Sequence, residues 1–170
     1  MDLRIVKTKR LIKETFLKLR AENPLEKIQV TELCREAQIN KTTFYNHYKD
    51  IFVLSDELEN ETIEQILAEC KFLDSLYTDP NKFIGSLLGS FKQSQDVLML
   101  LFTGRMNILI DKVEQLLKTT YLSPGNTMEE DILLSFLIGG ATHVWLNPEY
   151  DEDTINRTVS GIILSICKSW

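Results

Sequence analysis

Long apolar runs are missing from this sequence. None reaches the roughly 18 consecutive apolar residues that mark a membrane-spanning helix, so no span is expected. Proline and glycine are scarce, with 4 Pro and 7 Gly in 170 residues. Alternating β-branched stretches between turn signals are missing as well, which leaves little to build a sheet from. The three cysteines, Cys34, Cys70 and Cys167, are odd in number and far apart. That argues against a disulfide framework and against a zinc site. The two histidines, His47 and His143, are also distant from one another, and neither GxSxG nor a phosphate-binding glycine loop occurs. No nucleophile–base pair or metal-ligand spacing is left, so neither an enzyme nor a metal or cofactor is expected. The opening MDLRIVKTKR lacks the apolar core of a signal peptide, which predicts a reduced, cytoplasmic protein.

What is present is an uneven charge. The net charge is −6, yet residues 1–49 hold 11 Lys and Arg against 6 Asp and Glu. Residues 50–170 hold 8 against 19. A basic head on an acidic remainder is the asymmetry expected when one end meets phosphates.

Apolar residues return every three or four positions, the mark of helices throughout. The first helix is predicted over residues 4–20, with Ile5, Ile12, Phe16 and Leu19 as its apolar stripe and Lys and Arg opposite. Pro24 breaks it by pushing Asn23 out of helical geometry. A short helix over 30–37 buries Leu33, Cys34 and Ala37, and Glu32 suits its positive end. Gln38, Ile39 and Asn40 leave room only for a tight turn. Asn40 is a good cap for a helix over 41–48, and Asp50 caps a long helix to about residue 72. Asp79-Pro80 opens a helix over 80–94, followed by helical segments over 97–103 and 106–120. Ser123-Pro124-Gly125-Asn126 stops the last of these. Thr127 and Glu130 form a capping box for a helix over 128–145. Asn147-Pro148 ends that helix, and the acidic residues 151–153 open a final one to residue 168. About nine helices result: an all-α fold, divided into residues 1–50 and 51–170.

The segment VTELCREAQINKTTFYNHYKD, residues 30–50, carries the most information. A recognition helix needs apolar anchors inside and short polar or basic groups outside. Phe44 and Tyr48 fit the inside. Lys41, Thr42, Thr43, Tyr45, Asn46 and His47 remain for a DNA groove. Thr42 and Asn46 suit base edges, while Lys41, Lys49, Thr43 and Tyr45 suit phosphates. Plain packing is the competing reading for Tyr45, His47 and Tyr48.

The run Thr43-Phe44-Tyr45-Asn46-His47-Tyr48-Lys49 resembles the end of the recognition helix in TetR/AcrR transcription regulators. Leu33, Ala37 and Ile39 fall where that family has its helix-two and turn anchors. The resemblance covers residues 8–55 and implies a three-helix helix-turn-helix head on a helical ligand-binding and dimerisation body. It implies that Tyr45 and His47 hold phosphates, that Lys41, Thr42 and Asn46 face bases, and that Thr31 touches DNA. Two residues depart from the pattern. Gln38 stands where a turn glycine is usual, and Ile51 where a lysine is usual.

The remainder is similar to the family only loosely. FLIGGATHVWL, residues 136–146, resembles a Gram-positive subgroup with a Gly-Gly pair in its penultimate helix. Gly139 and Gly140 cost about 1 kcal/mol each against Ala inside a helix. Close approach of a partner backbone or of a ligand would offset that. Gly85 and Gly89 suggest close helix packing. In this family two C-terminal helices per subunit build a four-helix dimer bundle. Ile132, Phe136, Gly140 and Val144 would form one seam, and Ile155, Val159, Ile162, Ile163 and Ile166 the other. A homodimer on a near-palindromic double-stranded operator follows. Phe83, Leu87, Phe91, Leu98, Phe102, Met106, Leu109, His143 and Trp145 are candidates to line a pocket for a small apolar or amphipathic effector, with core packing as the competing role. The resemblance thus implies a repressor released by that effector. The alternative is an activator or coactivator of the same fold controlled by a protein partner.

Overall fold

A computed structural model describes residues 3–75, 78–121, 127–145 and 149–167. Nine α-helices and no strand occur among them. In chain order these are α1 (Leu3–Glu22), α2 (Val30–Glu36), α3 (Lys41–Tyr45), α4 (Ile51–Glu69), α5 (Pro80–Gln93), α6 (Gln95–Phe102), α7 (Met106–Leu116), α8 (Met128–Trp145) and α9 (Glu152–Cys167). The all-α expectation holds. The loop at residues 123–126, the stop at 147–148 and the side chains of Glu130, Trp145, Ile163 and Ile166 lie outside the described residues.

The chain forms two compact units, Met1–Thr62 with Asp96–Thr103, and Ile63–Gln95 with Gly104–Trp170. These differ from a division at residue 50. Helix α4 runs on through the boundary, and α6 belongs to the first unit despite its place in sequence.

In the first unit Ile12, Phe16 and Leu19 of α1 are buried, together with Leu33, Cys34 and Ala37. Ile5 does not join them. It is 48% exposed, because α1 projects about two turns beyond the first buried residue of its stripe. Arg20 is buried at the end of α1 and donates from its guanidinium to the Asn23 carbonyl at 3.0 Å. A cation there complements the negative end of the helix. After Pro24 the chain makes one 3-10 turn, Leu25–Lys27, which the sequence pattern did not suggest.

In the second unit α5 packs on α9, α7 on α8, and α8 on α9. Asp79 caps α5 by accepting from the Lys82 amide at 3.2 Å, with Pro80 in the first turn. Helix α7 tightens no further after Leu116 but loosens into a π-helical stretch, Leu117–Tyr121. There Lys118 pairs with Glu114 at 2.9 Å, and the Ser135 hydroxyl of α8 donates to the same carboxylate at 2.6 Å. A Cβ added at Gly85 or Gly89 meets nothing within 4 Å, so the expected close helix approach at these glycines is not observed. Helix α4 also stops earlier than expected, at Glu69, and Phe72 is exposed beyond it.

Candidate nucleic-acid interface

Helices α2 and α3 are joined by a turn of the expected length. Gln38 at its centre has φ 53, the left-handed region, and is the only non-glycine residue with positive φ among the described residues. The backbone there keeps the conformation that glycine adopts most easily. The turn is closed by the Gln38 amide on the Arg35 carbonyl at 3.2 Å and the Ile39 amide on the Cys34 carbonyl at 3.0 Å.

Asn40 then starts α3. Its side-chain oxygen accepts from the Thr43 amide at 2.7 Å and from the Thr43 hydroxyl at 2.9 Å. This satisfies an amide that the helix itself cannot pair. Regular helix ends at Tyr45, three residues earlier than expected, because Asn46 takes the C-cap position. The chain still turns helically, with the Tyr48 amide on the Phe44 carbonyl at 3.0 Å. Asp50 caps α4 in turn by accepting from the Val53 amide at 2.8 Å.

This short helix has two distinct sides. Phe44 and Tyr48 are 0% and 2% exposed and pack ring to ring with centroids 5.8 Å apart. Lys41, Thr42, Tyr45, Asn46 and Lys49 are exposed, and Thr43 and His47 are half-buried. Tyr45 is 55% exposed and stands edge-on to Phe44. Its packing is therefore partial, and about half of the residue stays open to another molecule. Thr31, at the start of α2, is exposed and donates to the Gln29 side chain at 3.3 Å. All eight candidate DNA contacts thus lie in the first unit, on or next to α2 and α3. Cys34 is buried beneath them, and burial pushes its thiol pKa up while the Lys41 ammonium pulls it the other way.

Sequence reading missed the group of charges behind Tyr48. Oε1 of Glu57 on α4 receives Lys13 Nζ at 2.7 Å, Lys9 Nζ at 3.1 Å and the Tyr48 hydroxyl at 3.0 Å. Lys13 also reaches Glu61 at 2.6 Å, and Lys9 lies 5.3 Å from the centre of the Tyr48 ring. Burial works against charge on Glu57, but the bonds from Lys13, Lys9 and Tyr48 outweigh it and hold its carboxyl below the usual range. Burial, followed by the bond to Glu57, pushes the Tyr48 hydroxyl well above the usual tyrosine value. A signal was present in the sequence. Lys9 and Lys13 are four apart, as are Glu57 and Glu61, and this spacing puts each pair on one helix face.

The other candidates lie elsewhere. Phe83, Leu87, Phe91 and Leu109 are buried in the second unit, and Leu98 and Phe102 in the first. Met106 is half-buried, His143 is exposed, and Trp145 lies outside the described side chains. None of these residues lines either of two surface hollows in the second unit. One hollow, of about 350 Å³, lies along Asp111, Glu114, Gln115, Lys118 and Thr119. The other is an apolar groove of about 130 Å³ bounded by Phe136, Leu137, Gly140, Ala141, Val144, Val159 and Ile162.

The candidate interface residues divide between surface and core. Ile132 and Phe136 are each 63% exposed, Ile162 and Gly140 are exposed, and Val144 and Gly139 are half-buried. Ile155 and Val159 are already buried within the unit, where α9 packs on α5 and α8. An added Cβ at Gly139 or Gly140 meets nothing within 4 Å, so packing within the chain does not require glycine at either position.

No protein-family model matches the chain. Over 111 residues, 65% of its length, the chain is 27% identical to a Bacillus subtilis (strain 168) protein named uncharacterized HTH-type transcriptional regulator YxbF. The match spans 27% of that relative's length. Among the described residues no helix is long and apolar enough to cross a membrane. No group of three or more His, Cys, Asp or Glu side chains among them is placed to hold a metal ion.

Proposed function

We propose that this protein is a sequence-specific, DNA-binding transcription regulator of the TetR/AcrR type, acting in the cytoplasm. The observation that carries this reading is the two-sided α3. Phe44 on the helix and Tyr48 just beyond it are sealed inside, while Lys41, Thr42 and Tyr45 on the capped helix, Asn46 at its C-cap and Lys49 after it stand exposed. A groove-reading helix needs that division of labour. Similarity to a regulator named for its helix-turn-helix supports the same reading. Thr42 and Asn46 read base edges in this scheme. Thr31, Lys41, Thr43, Tyr45, His47 and Lys49 hold the backbone.

The protein acts as a homodimer through α8 and α9. Ile132, Phe136 and Ile162 leave apolar surface uncovered beside the groove at Gly140. A second copy would bury that surface and bring a backbone near the two glycines. Two heads would then meet a near-palindromic operator with recognition helices about 34–36 Å apart.

Repression relieved by a small apolar effector is the mode of control we favour, through a shift between head spacings.

Selection of duplexes from a random pool by the purified protein tests the reading. Enrichment of a palindrome is the expected result. No enrichment at low salt contradicts it.

A further inference from the structure

Three elements of the first unit meet at one oxygen, Oε1 of Glu57. Lys9 and Lys13 reach it from α1, and the Tyr48 hydroxyl reaches it from the chain just after α3. An anchor residue needs no hydroxyl to fill a core. Phe44, one turn earlier and equally buried, has none. The Tyr48 hydroxyl therefore does something that packing does not, which is to tie the end of α3 to α4 in one orientation. A hydrogen bond to an ionised acceptor is stronger than a neutral one, and this one is half-buried, so the tie is firmer than a lone exposed contact. Tyr48 lies between His47 and Lys49, so its setting fixes where both neighbours point. The same carboxylate holds the Lys9 ammonium through both of its oxygens, at 3.1 and 3.2 Å, while Lys13 keeps Glu61 as a second partner. Without Glu57 the Lys9 charge is released to meet any nearby phosphate, whatever the base sequence.

We infer that Glu57 is a positioning residue for DNA recognition. Through Tyr48 it sets the chain at the end of the reading helix, and by holding Lys9 it suppresses indiscriminate attraction to duplex. It widens the gap between the right sequence and any sequence without touching DNA. This rests on the DNA-binding reading above.

The test compares the full chain with Glu57→Ala and Tyr48→Phe. Each is titrated with the duplex enriched by selection and with a scrambled duplex of equal length, over a range of salt. Partial unfolding removes active protein and weakens both affinities by one common factor, so the ratio of the two is insensitive to a merely structural loss. For Glu57→Ala the ratio is expected to fall about tenfold, comparable to losing one base contact. Scrambled-duplex binding is expected to become steeper in salt, as the released Lys9 engages a phosphate. For Tyr48→Phe, which keeps the carboxylate and its ion pairs, the ratio falls without the steeper salt dependence. A ratio equal to wild type in Glu57→Ala overturns the inference. If that variant fails to fold, an unchanged ratio in Tyr48→Phe does so. A wild type with no preference between duplexes overturns the underlying DNA-binding reading, and a wild type that discriminates while the variants match it overturns only this one.

Discussion

The Asn40 side-chain oxygen lies 2.7 Å from the Thr43 amide and 2.9 Å from the Thr43 hydroxyl, so one residue fixes the start of α3. The regular part of that helix is only Lys41–Tyr45. So short a helix has almost no intrinsic stability and depends on its cap and its buried rings. Asn40→Ala is expected to cost about 1 kcal/mol of stability. A shift of the denaturant midpoint at unchanged slope is the check, because the cap acts on the folded state alone.

Gln38 sits at φ 53, where a side chain costs on the order of 1 kcal/mol and glycine costs least. Gln38→Gly should therefore stabilise the first unit despite the greater freedom it gives the unfolded chain. Gln38→Val should destabilise it by more than the glycine gains. Paired urea titrations of the two variants give the sign directly.

Acid should weaken the Glu57 network. The carboxyl's folded pKa is held below its ordinary value of 4.5, so its contribution is fully present above that value. The contribution is lost as pH falls from there through the lowered value. Stability followed from pH 6 to about pH 3 should thus fall more steeply for wild type than for Glu57→Gln. Parallel curves would mean that the carboxylate gains nothing from Lys9, Lys13 and Tyr48.

Gly140 separates the two proposed roles of α8. An added Cβ there meets nothing within 4 Å in the chain, so Gly140→Ala should stabilise the isolated fold by about 1 kcal/mol. If a partner backbone approaches this position, the same change weakens the dimer. Sedimentation across concentration, read beside thermal unfolding, should show the two effects with opposite sign.

Much of this arrangement was legible in the sequence, because it rests on local signals. Asn40, Asp50 and Asp79 each cap the helix they were expected to cap, since a short acceptor side chain next to free amides needs no distant partner. The exposed position of Asn46 and the burial of Phe44 follow from helical spacing alone. What was not legible depends on tertiary placement. Ile5 has the right spacing for the core but lies on a turn that nothing covers. Ile155 and Val159 have the spacing of an interface, yet α5 and α8 already occupy the space beside their helix. Glu57 is one acidic residue among many on α4. Its role emerges only when the fold brings Lys9, Lys13 and Tyr48 to a single oxygen.

The claim beneath all of this is that the outward side of α3 reads DNA. It is tested most directly by dissociation constants of wild type, Asn46→Ala and Lys49→Ala on the selected duplex and on its single-base variants. Asn46→Ala should cost about 1–3 kcal/mol on the selected duplex and lose discrimination at one position of each half-site. Lys49→Ala should weaken every duplex alike and reduce the salt slope by about 1. If Asn46→Ala discriminates among all the variants as wild type does, and Lys49→Ala leaves the salt slope unchanged, the claim is contradicted.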